Sequence, residues 1–520
     1  MVARAGWVVR YFPLAVFLVY LNFTVALFAF GPWKYPVVDG RALYGFLLAA
    51  HLAVAAGYLS ARWKPPLANF APKSTSILLK VCLGVTLVLL IPTSLLDTGS
   101  PLPNVISGVL DPGGAYARSL EFRDTRAFIF VSYVRILCGP LLFLLFPLLV
   151  VYWNEANTRV RVLGSFALAF SAAIYIAMGV NKGLADLLGL FPVLALAAYF
   201  SRKLVLSKAR WAALAAGWLL AVALFASFFG GTQSTRAGSA SEYGSLPAAS
   251  SKLTPGAANP SPPDTGPVPT TTYPSGVKAI LVDYEHPLVR SLPSFLRTAV
   301  VGATSYLTQG YYALYLSLNK PFVPMFGVGN SIFLTQQAVR VTGNQDIARM
   351  SYPSRIESDG WDALGRWSSI YPWIASDVSF PGTIVVVFLI GRLFAIAWFD
   401  ALSARNPFAF GMMAQFVVML FYFPANNQTS QFGEGFTAFW AILIMWLLTR
   451  NGAIPIHAWI DDAVQTVKPA PQQIATLGYF GRPGMREVRE LVARQRRQKL
   501  ERIGILPRPP NDEGGFLDGP

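Results

Sequence analysis

Residues 211–230, WAALAAGWLLAVALFASFFG, form an uncharged apolar run that leads directly into a long polar segment. A helix needs roughly 20 mostly apolar residues to cross the hydrocarbon core of a bilayer. This run therefore predicts a membrane-spanning helix. With it, the chain has ten such stretches, at 11–30, 42–60, 77–96, 136–153, 162–180, 184–200, 211–230, 382–399, 407–424 and 433–449.

The composition supports the same class of protein. Of 520 residues, 54% are hydrophobic and 13% are charged, and the mean hydropathy is +0.46, which is unusual for a soluble globular domain. The first apolar run follows Arg4 and Arg10, but it is long and lacks a clear cleavage site, so it predicts a retained signal anchor. We expect an all-α polytopic membrane protein with about ten transmembrane helices and a large outer loop.

The predicted helices divide the chain into four parts. These are a seven-helix bundle at 1–230, a loop at 231–381, a three-helix bundle at 382–449 and a basic tail at 450–520. Within the loop, residues 245–275 hold eight prolines among small and polar residues, which is typical of an extended or disordered linker.

The rest of the loop, 294–381, is predicted to be helical and associated with the membrane. Its segment 294–318 is apolar and rich in tyrosine. One extra crossing here would conflict with the charge of the tail. A re-entrant or interfacial helix would not, and neither would two extra crossings with 321–338 as the second. These alternatives stay open.

Lysine and arginine favour the cytoplasmic loops of membrane proteins. Basic residues gather in alternate short loops and in the tail, for example Arg62 and Lys64, Arg159 and Arg161, and Lys208 and Arg210. The pattern places both termini in the cytoplasm and the large loop outside. The net charge of +16 lies largely in these segments, so it predicts attraction to anionic lipid and not to nucleic acid. Two cysteines and three scattered histidines give no metal-binding spacing, and neither a metal nor a cofactor is expected.

Four short segments carry a family resemblance. They are TSYLTQGYYALYLSL at 304–318, FGVGNS at 326–331, WIASDVSFPG at 373–382 and YFPANNQ at 422–428. These segments and their order resemble the Wzy-type polymerases, which join oligosaccharide repeat units of O-antigen or exopolysaccharide in bacteria. The resemblance implies a GT-C-like fold in the inner membrane and the transfer of a growing glycan from undecaprenyl pyrophosphate to a new lipid-linked repeat unit. The implied partners are these lipid-linked glycans, and a chain-length regulator stays open. The alternatives are an O-antigen ligase or another glycosyltransferase that uses a lipid carrier, and a polysaccharide transporter or flippase.

That reaction requires cations near the membrane surface to bind the leaving pyrophosphate, and the planar fork of arginine suits phosphate best. The predicted pyrophosphate-binding residues are Arg297, Arg340, Arg349, Arg355, Arg366 and Arg392. Arg392 lies in the middle of a predicted span, where a charge is costly and calls for a partner or a polar cavity. For the loop arginines, the alternative is pairing with nearby acids or simple solubility.

The acceptor hydroxyl needs a base, for which carboxylates are suitable. We predict Asp377 first and then Glu434 and Asp359 as catalytic residues. Aromatic rings can stack on sugars, and the predicted set is Trp361, Trp367, Trp373 and Tyr312. The alternative is that these rings anchor the loop at the membrane interface.

Overall fold

The computed structural model describes residues 6–64, 66–67, 69–123, 129–242, 280–361 and 366–452. All of them belong to one unit, Met1–His457, and the second unit, Ala458–Pro520, lies outside the described residues. The predicted linker at 245–275, and the predicted tail apart from its first three residues, also lie outside them.

The described chain is almost entirely helical. The α-helices are α1 (Trp7–Phe30), α2 (Arg41–Ser60), α3 (Pro72–Thr98), α4 (Val105–Leu110), α5 (Pro112–Arg123), α6 (Ile129–Val151), α7 (Thr158–Ala177), α8 (Lys182–Phe200), α9 (Lys208–Glu242), α10 (Pro287–Arg290), α11 (Ser294–Leu318), α12 (Ile332–Thr342), α13 (Tyr352–Arg355), α14 (Ile370–Ser403), α15 (Pro407–Tyr422) and α16 (Gly433–Arg450). Two short 3-10 helices, Gln345–Arg349 and Ile356–Asp359, flank α13. Strands β1 (Trp33–Lys34) and β2 (Leu281–Val282) pair antiparallel, with Trp33 opposite Val282.

Within the described residues, eight helices are long and apolar enough to cross a membrane: α1, α2, α3, α6, α7, α8, α9 and α14. The chain is therefore a polytopic helical membrane protein. Helix α15 has only 16 residues and α16 has 18, and neither is among the eight. The predicted total of ten spans stays a prediction.

The two ends of the bundle carry different connections. We call the end that holds β1, β2 and the segments 280–361 and 366–369 the loop end. The end that holds 61–64, 69–71, 201–207 and 404–406 is the basic end. At the basic end, the amide of Phe70 donates to the carbonyl of Arg405 at 2.9 Å. Arg450 joins the same layer, because its Nε donates to the buried carboxylate of Asp400 at 2.8 Å and its Nη2 donates to the carbonyl of Lys64 at 2.9 Å.

The closest packing in the bundle joins α2 and α14. Gly57 lies directly against the carbonyl of Phe388, and Gly391 lies against the carbonyl of Val54. A side chain at either glycine would collide with this backbone, so the two helices can approach only because these residues are small.

Helix α14 is broken at Ser379, which has a φ of 65° and a ψ of 170°. Pro381 explains the break, because proline has no N–H to donate and clashes with the carbonyl of residue 377, four positions earlier. The predicted span at 382–399 begins just beyond this break. Asp377 ends the segment on the loop side of it.

Helix α11 lies along the loop end. Near its start, the carbonyl of Val301 accepts from Trp33 Nε1 at 3.0 Å, and near its finish the hydroxyl of Tyr315 accepts from the amide of Val38 at 3.3 Å. These contacts lie about four turns apart along the helix, yet both partners belong to the short connection between α1 and α2. This part of α11 therefore runs alongside that connection, and the re-entrant or interfacial alternative stays a prediction. Helix α12, with 11 residues, is too short for the second of two extra crossings.

Candidate functional site

The turn at Phe326–Asn330 wraps around the carboxylate of Asp377. Oδ1 accepts from the amides of Gly327 at 2.8 Å and Gly329 at 2.9 Å, and Oδ2 accepts from the amide of Asn330 at 2.9 Å and its side-chain Nδ2 at 2.8 Å. Positive φ at Phe326 and Gly327 turns these amides to one side, which makes a nest for an anion. Four donors occupy both oxygens, so this geometry favours a positioning role for Asp377. The predicted role as a catalytic base stays untested.

An open cleft of about 470 Å³ lies at the loop end, in the part of the chain that follows α11. Its lining brings together three cations and one carboxylate and is completed by two hydroxyls: Lys320, Arg349, Arg355, Glu357, Ser354 and Ser358. The sequence predicted Arg349 and Arg355 as pyrophosphate ligands, and the structure places both in the same cleft. Lys320 reaches the same cleft from the chain just after α11, which ends at Leu318.

Contacts with neighbouring residues hold two of the three cations of the cleft, Arg355 and Lys320. Arg355 stacks on the ring of Tyr352 at 4.6 Å and donates from Nη2 to the carbonyl of Pro321 at 2.7 Å. Lys320 Nζ pairs with Oδ1 of Asp359 at 2.8 Å and donates to Ser358 at 3.2 Å. The predicted catalytic residue Asp359 therefore lies at the edge of the cleft, held by one cation. Asp362, its neighbour in the acidic stretch of the sequence, lies outside the described residues.

One buried serine attaches the cleft to α14. The hydroxyl of Ser376 accepts from the amide of Tyr352 at 2.9 Å, and its carbonyl accepts from the amide of Met325 at 3.1 Å. The start of α13 and the start of the Asp377 turn are thus fixed to the same residue. The cleft is held by the membrane helix and not by the loop alone.

Most of the predicted sugar-stacking residues are in the core. Trp361, Tyr312 and Trp373 are 1%, 4% and 5% exposed, and Trp361 packs edge-on against Tyr312 at 5.4 Å. Burial raises the pKa of Tyr312, so its phenol stays protonated. None of the three presents an open face to a sugar, and the structure uses them to pack the core. Trp367 is half-buried between Tyr306 and Tyr422, with centroids 4.6 and 6.0 Å away.

Three further predicted arginines lie apart from the lining of the cleft. Arg297 donates from Nη2 to the carbonyls of Arg290 and Leu292 at 3.4 and 3.3 Å, and so caps the short helix before α11. Arg340, at the end of α12, donates to the hydroxyl of Tyr133 at 3.0 Å. Arg366 stacks on Trp361 at 4.9 Å. The pyrophosphate role predicted for these three gains no support from their positions.

Arg392 requires a correction. Its Nη1 donates to the carbonyl and the hydroxyl of Ser60, at 3.1 and 3.0 Å, at the basic end of α2. The cleft-bearing segment lies at the loop end of the bundle, so Arg392 is not placed to bind a substrate there. The cause is the helix boundary: α14 begins at Ile370, twelve residues before the predicted span, so the middle of the apolar run is not the middle of the helix.

A buried ionic network that the sequence did not predict as a unit lies inside the loop end. Arg135 of α6 donates from Nη1 to Asp97 at 2.8 Å and from Nη2 to Glu434 at 3.2 Å, and its Nε lies 2.8 Å from the other carboxylate oxygen of Glu434. The side chains of Asp97 and Arg135 are only 5% and 15% exposed. Glu434, predicted as a catalytic residue, is therefore the bidentate partner of a buried arginine that joins α3, α6 and α16.

A second polar pair lies on α8. Lys182 pairs with Asp186 at 2.8 Å, and Tyr422 donates to the other oxygen of Asp186 at 2.9 Å. Asp186 lies inside a predicted span, where an ionisable residue is a signal for a partner. The charge of Asp186 inside a span could therefore have identified the pair on α8. In the same way, Asp97 and Arg135 at the edges of two apolar runs could have identified the network around Arg135.

Within the described residues, no group of three or more His, Cys, Asp or Glu side chains is arranged to hold a metal ion. In comparisons with protein-family models, with curated proteins and with solved structures, the chain matches none.

Proposed function

We propose that this membrane protein is a GT-C-like glycosyltransferase that polymerises lipid-linked oligosaccharide repeat units at the outer face of the bacterial inner membrane. The observation that carries the proposal is the cleft at the loop end, where Lys320, Arg349 and Arg355 come together beside the carboxylates Glu357 and Asp359. A polyprenyl pyrophosphate leaving group needs such cations, and an acceptor hydroxyl needs such a carboxylate.

In this proposal, the cations of the cleft bind the pyrophosphate of the donor. The bond between the anomeric carbon and the pyrophosphate oxygen breaks, and the acceptor oxygen forms the new glycosidic bond to that carbon. The acceptor proton moves to a carboxylate. The electron pair of the broken bond leaves on the pyrophosphate, where Arg349 and Arg355 stabilise the charge.

Among the predicted bases, Asp359 fits this role best. Asp377 accepts four hydrogen bonds and Glu434 is held by Arg135, whereas within the described residues the cation paired with Asp359 is Lys320. A pyrophosphate that draws Lys320 away would leave the carboxylate of Asp359 open to the hydroxyl of the acceptor, so donor binding would prepare the base.

The test is a gel of surface polysaccharide from the source bacterium with this gene deleted, complemented with Lys320→Gln, Arg349→Gln or Arg355→Gln. The matched control is Arg290→Gln, an exposed arginine of the same segment that does not line the cleft. A charge-assisted hydrogen bond is worth about 1.5–3 kcal/mol, so we expect roughly 10- to 100-fold less polymer from the cleft variants. The control should restore the full ladder.

The product pattern separates the function classes. Collapse of the ladder to one repeat unit supports a polymerase. Polymer that accumulates on the lipid carrier would indicate a ligase, and loss without such accumulation would indicate a flippase or an earlier transferase. A complete ladder from all three cleft variants, at normal protein levels, would refute the proposed site.

A further inference from the structure

An apolar groove lies between α9 and the three helices before it. Its volume is about 350 Å³, and its lining includes Phe146, Leu168, Leu187, Phe191 and Trp218. All of these side chains belong to helices long and apolar enough to span the membrane. The groove is therefore at membrane depth, far from the cleft at the loop end.

The groove exists because α9 packs loosely. None of the residues in the apolar window of α9 is buried, whereas the other seven candidate spans bury between 22% and 50% of theirs. Gly217, which lines the groove, has open space where a side chain would be. The groove side of α9 thus lacks the packing that the other helices have.

A proline in α8 makes one hydrogen bond across the groove possible. Pro192 in α8 has no N–H, so the carbonyl of Leu188, four residues earlier, has no helical partner. The indole Nε1 of Trp218 donates to this carbonyl at 2.9 Å and ties α9 to α8 at one point. Such a bond satisfies a backbone group that the hydrocarbon could not.

The basic end of the groove is positively charged. Arg210 precedes Ala213, Leu214, Gly217 and Ala221 at spacings of 3, 4, 7 and 11 residues, so all lie on the same face of α9. Arg210 is exposed, and no described residue is seen to pair with its guanidinium. Arg202 and Lys208 are exposed nearby in the sequence, and Tyr199 packs edge-on against Trp211 at 5.7 Å, as aromatic residues do at a membrane interface.

We propose that this groove binds an anionic phospholipid, with an acyl chain between α8 and α9 and the phosphate on Arg210. An apolar groove with an exposed arginine one turn beyond its α9 lining has the two chemistries of such a lipid, and basic sites between helices attract acidic headgroups. The inference is independent of the proposed polymerase activity, because it uses none of the residues of the cleft.

The test is native mass spectrometry of the purified full-length protein in detergent, titrated with dioleoyl phosphatidylglycerol or dioleoyl phosphatidylcholine. The wild type should bind one phosphatidylglycerol in preference to phosphatidylcholine. Arg210→Gln should weaken that first binding about fivefold, from the attraction of one basic residue to an anionic lipid. The matched control Arg62→Gln removes an exposed charge at the same end, next to α2, and should bind as the wild type does.

Two glycine variants test the apolar half of the site. Gly217→Trp should fill the groove and abolish the preferred binding. Gly189→Trp is the control, because Gly189 on α8 also has open space around it but does not line the groove. If Gly217→Trp does not give a folded protein by circular dichroism, Gly217→Leu takes its place.

Equal binding of the two lipids by the wild type would overturn the proposal. So would wild-type binding by both Arg210→Gln and the folded Gly217 variant. Loss of binding in Gly189→Trp as well as Gly217→Trp would also overturn it, because the effect would then not belong to the groove.

Discussion

Replacing Asp377 by Asn should loosen the turn at 326–330 without changing its size. The carboxylate accepts four hydrogen bonds, two on each oxygen. An asparagine keeps one acceptor oxygen and turns its NH₂ toward two donors, so two of the four bonds are lost. Hydrogen bonds to a charged group contribute about 1.5–3 kcal/mol each. Because water can reach this half-buried turn, we expect about 2 kcal/mol less resistance to local opening, which is about 30-fold faster amide exchange.

Hydrogen-exchange mass spectrometry on a peptide that covers 325–331 measures this directly. The control is Asp359→Asn, which removes a carboxylate of the same outer segment that does not contact the turn. Unchanged exchange in Asp377→Asn would refute the positioning role. The same variant also tests the catalytic role, since a base predicts loss of polymer with normal exchange, whereas a positioning residue predicts that both change together.

Three other predictions follow from single contacts. Arg135→Met should destabilise the protein by about 3–5 kcal/mol, because it removes the cation that pairs with the buried carboxylate of Asp97. Denaturation in detergent should show this, with partial recovery in the double variant that also carries Asp97→Leu, and an unchanged midpoint would contradict it. Arg392→Gln should leave the polysaccharide ladder complete, because the guanidinium lies at the basic end; a lost ladder with a normally folded protein would contradict that placement. Trp218→Phe should lower the free energy of unfolding by about 0.6–1.7 kcal/mol, the range for interhelical hydrogen bonds in a membrane. Thermal melting of variant and wild type measures this, and equal melting temperatures would mean that the hydrogen bond from Trp218 to α8 does not contribute to stability.

The helices were predictable because hydropathy is a local property. Each of the eight candidate spans overlaps a predicted apolar run; six contain the whole run, and α6 and α7 end two and three residues before theirs. The largest shift is in α14, where the apolar run begins after Pro381 but the helix begins at Ile370. That extension depends on the break at Ser379 and on contacts of Ser376 with distant segments, which hydropathy does not encode. The misplacement of Arg392 has the same origin.

The candidate site was predictable only in part. The expectation that arginines of the large loop bind pyrophosphate selected Arg349 and Arg355, which line the cleft. The same expectation selected Arg297, which caps a short helix, and Arg366, which stacks on Trp361. Which arginine faces a cleft depends on turns between α11 and α14. The network around Arg135 joins residues 38 and 299 positions apart, so the sequence shows charged residues at the ends of runs but not their pairing.

The segment 325–331 connects the cleft with the buried network. On one side, its start is fixed to Ser376, the residue that also holds α13 and therefore Arg355. On the other side, the carbonyl of Asn330 accepts from Nδ2 of Asn427 at 2.7 Å, in the connection that leads into α16 and Glu434. Because Asp377 fixes the middle of this segment with four bonds, displacement of the turn cannot be confined to the cleft. It must strain the contact with Asn427 or break it, and Asp377 therefore sets how rigidly the cleft and the Glu434 region are held relative to each other.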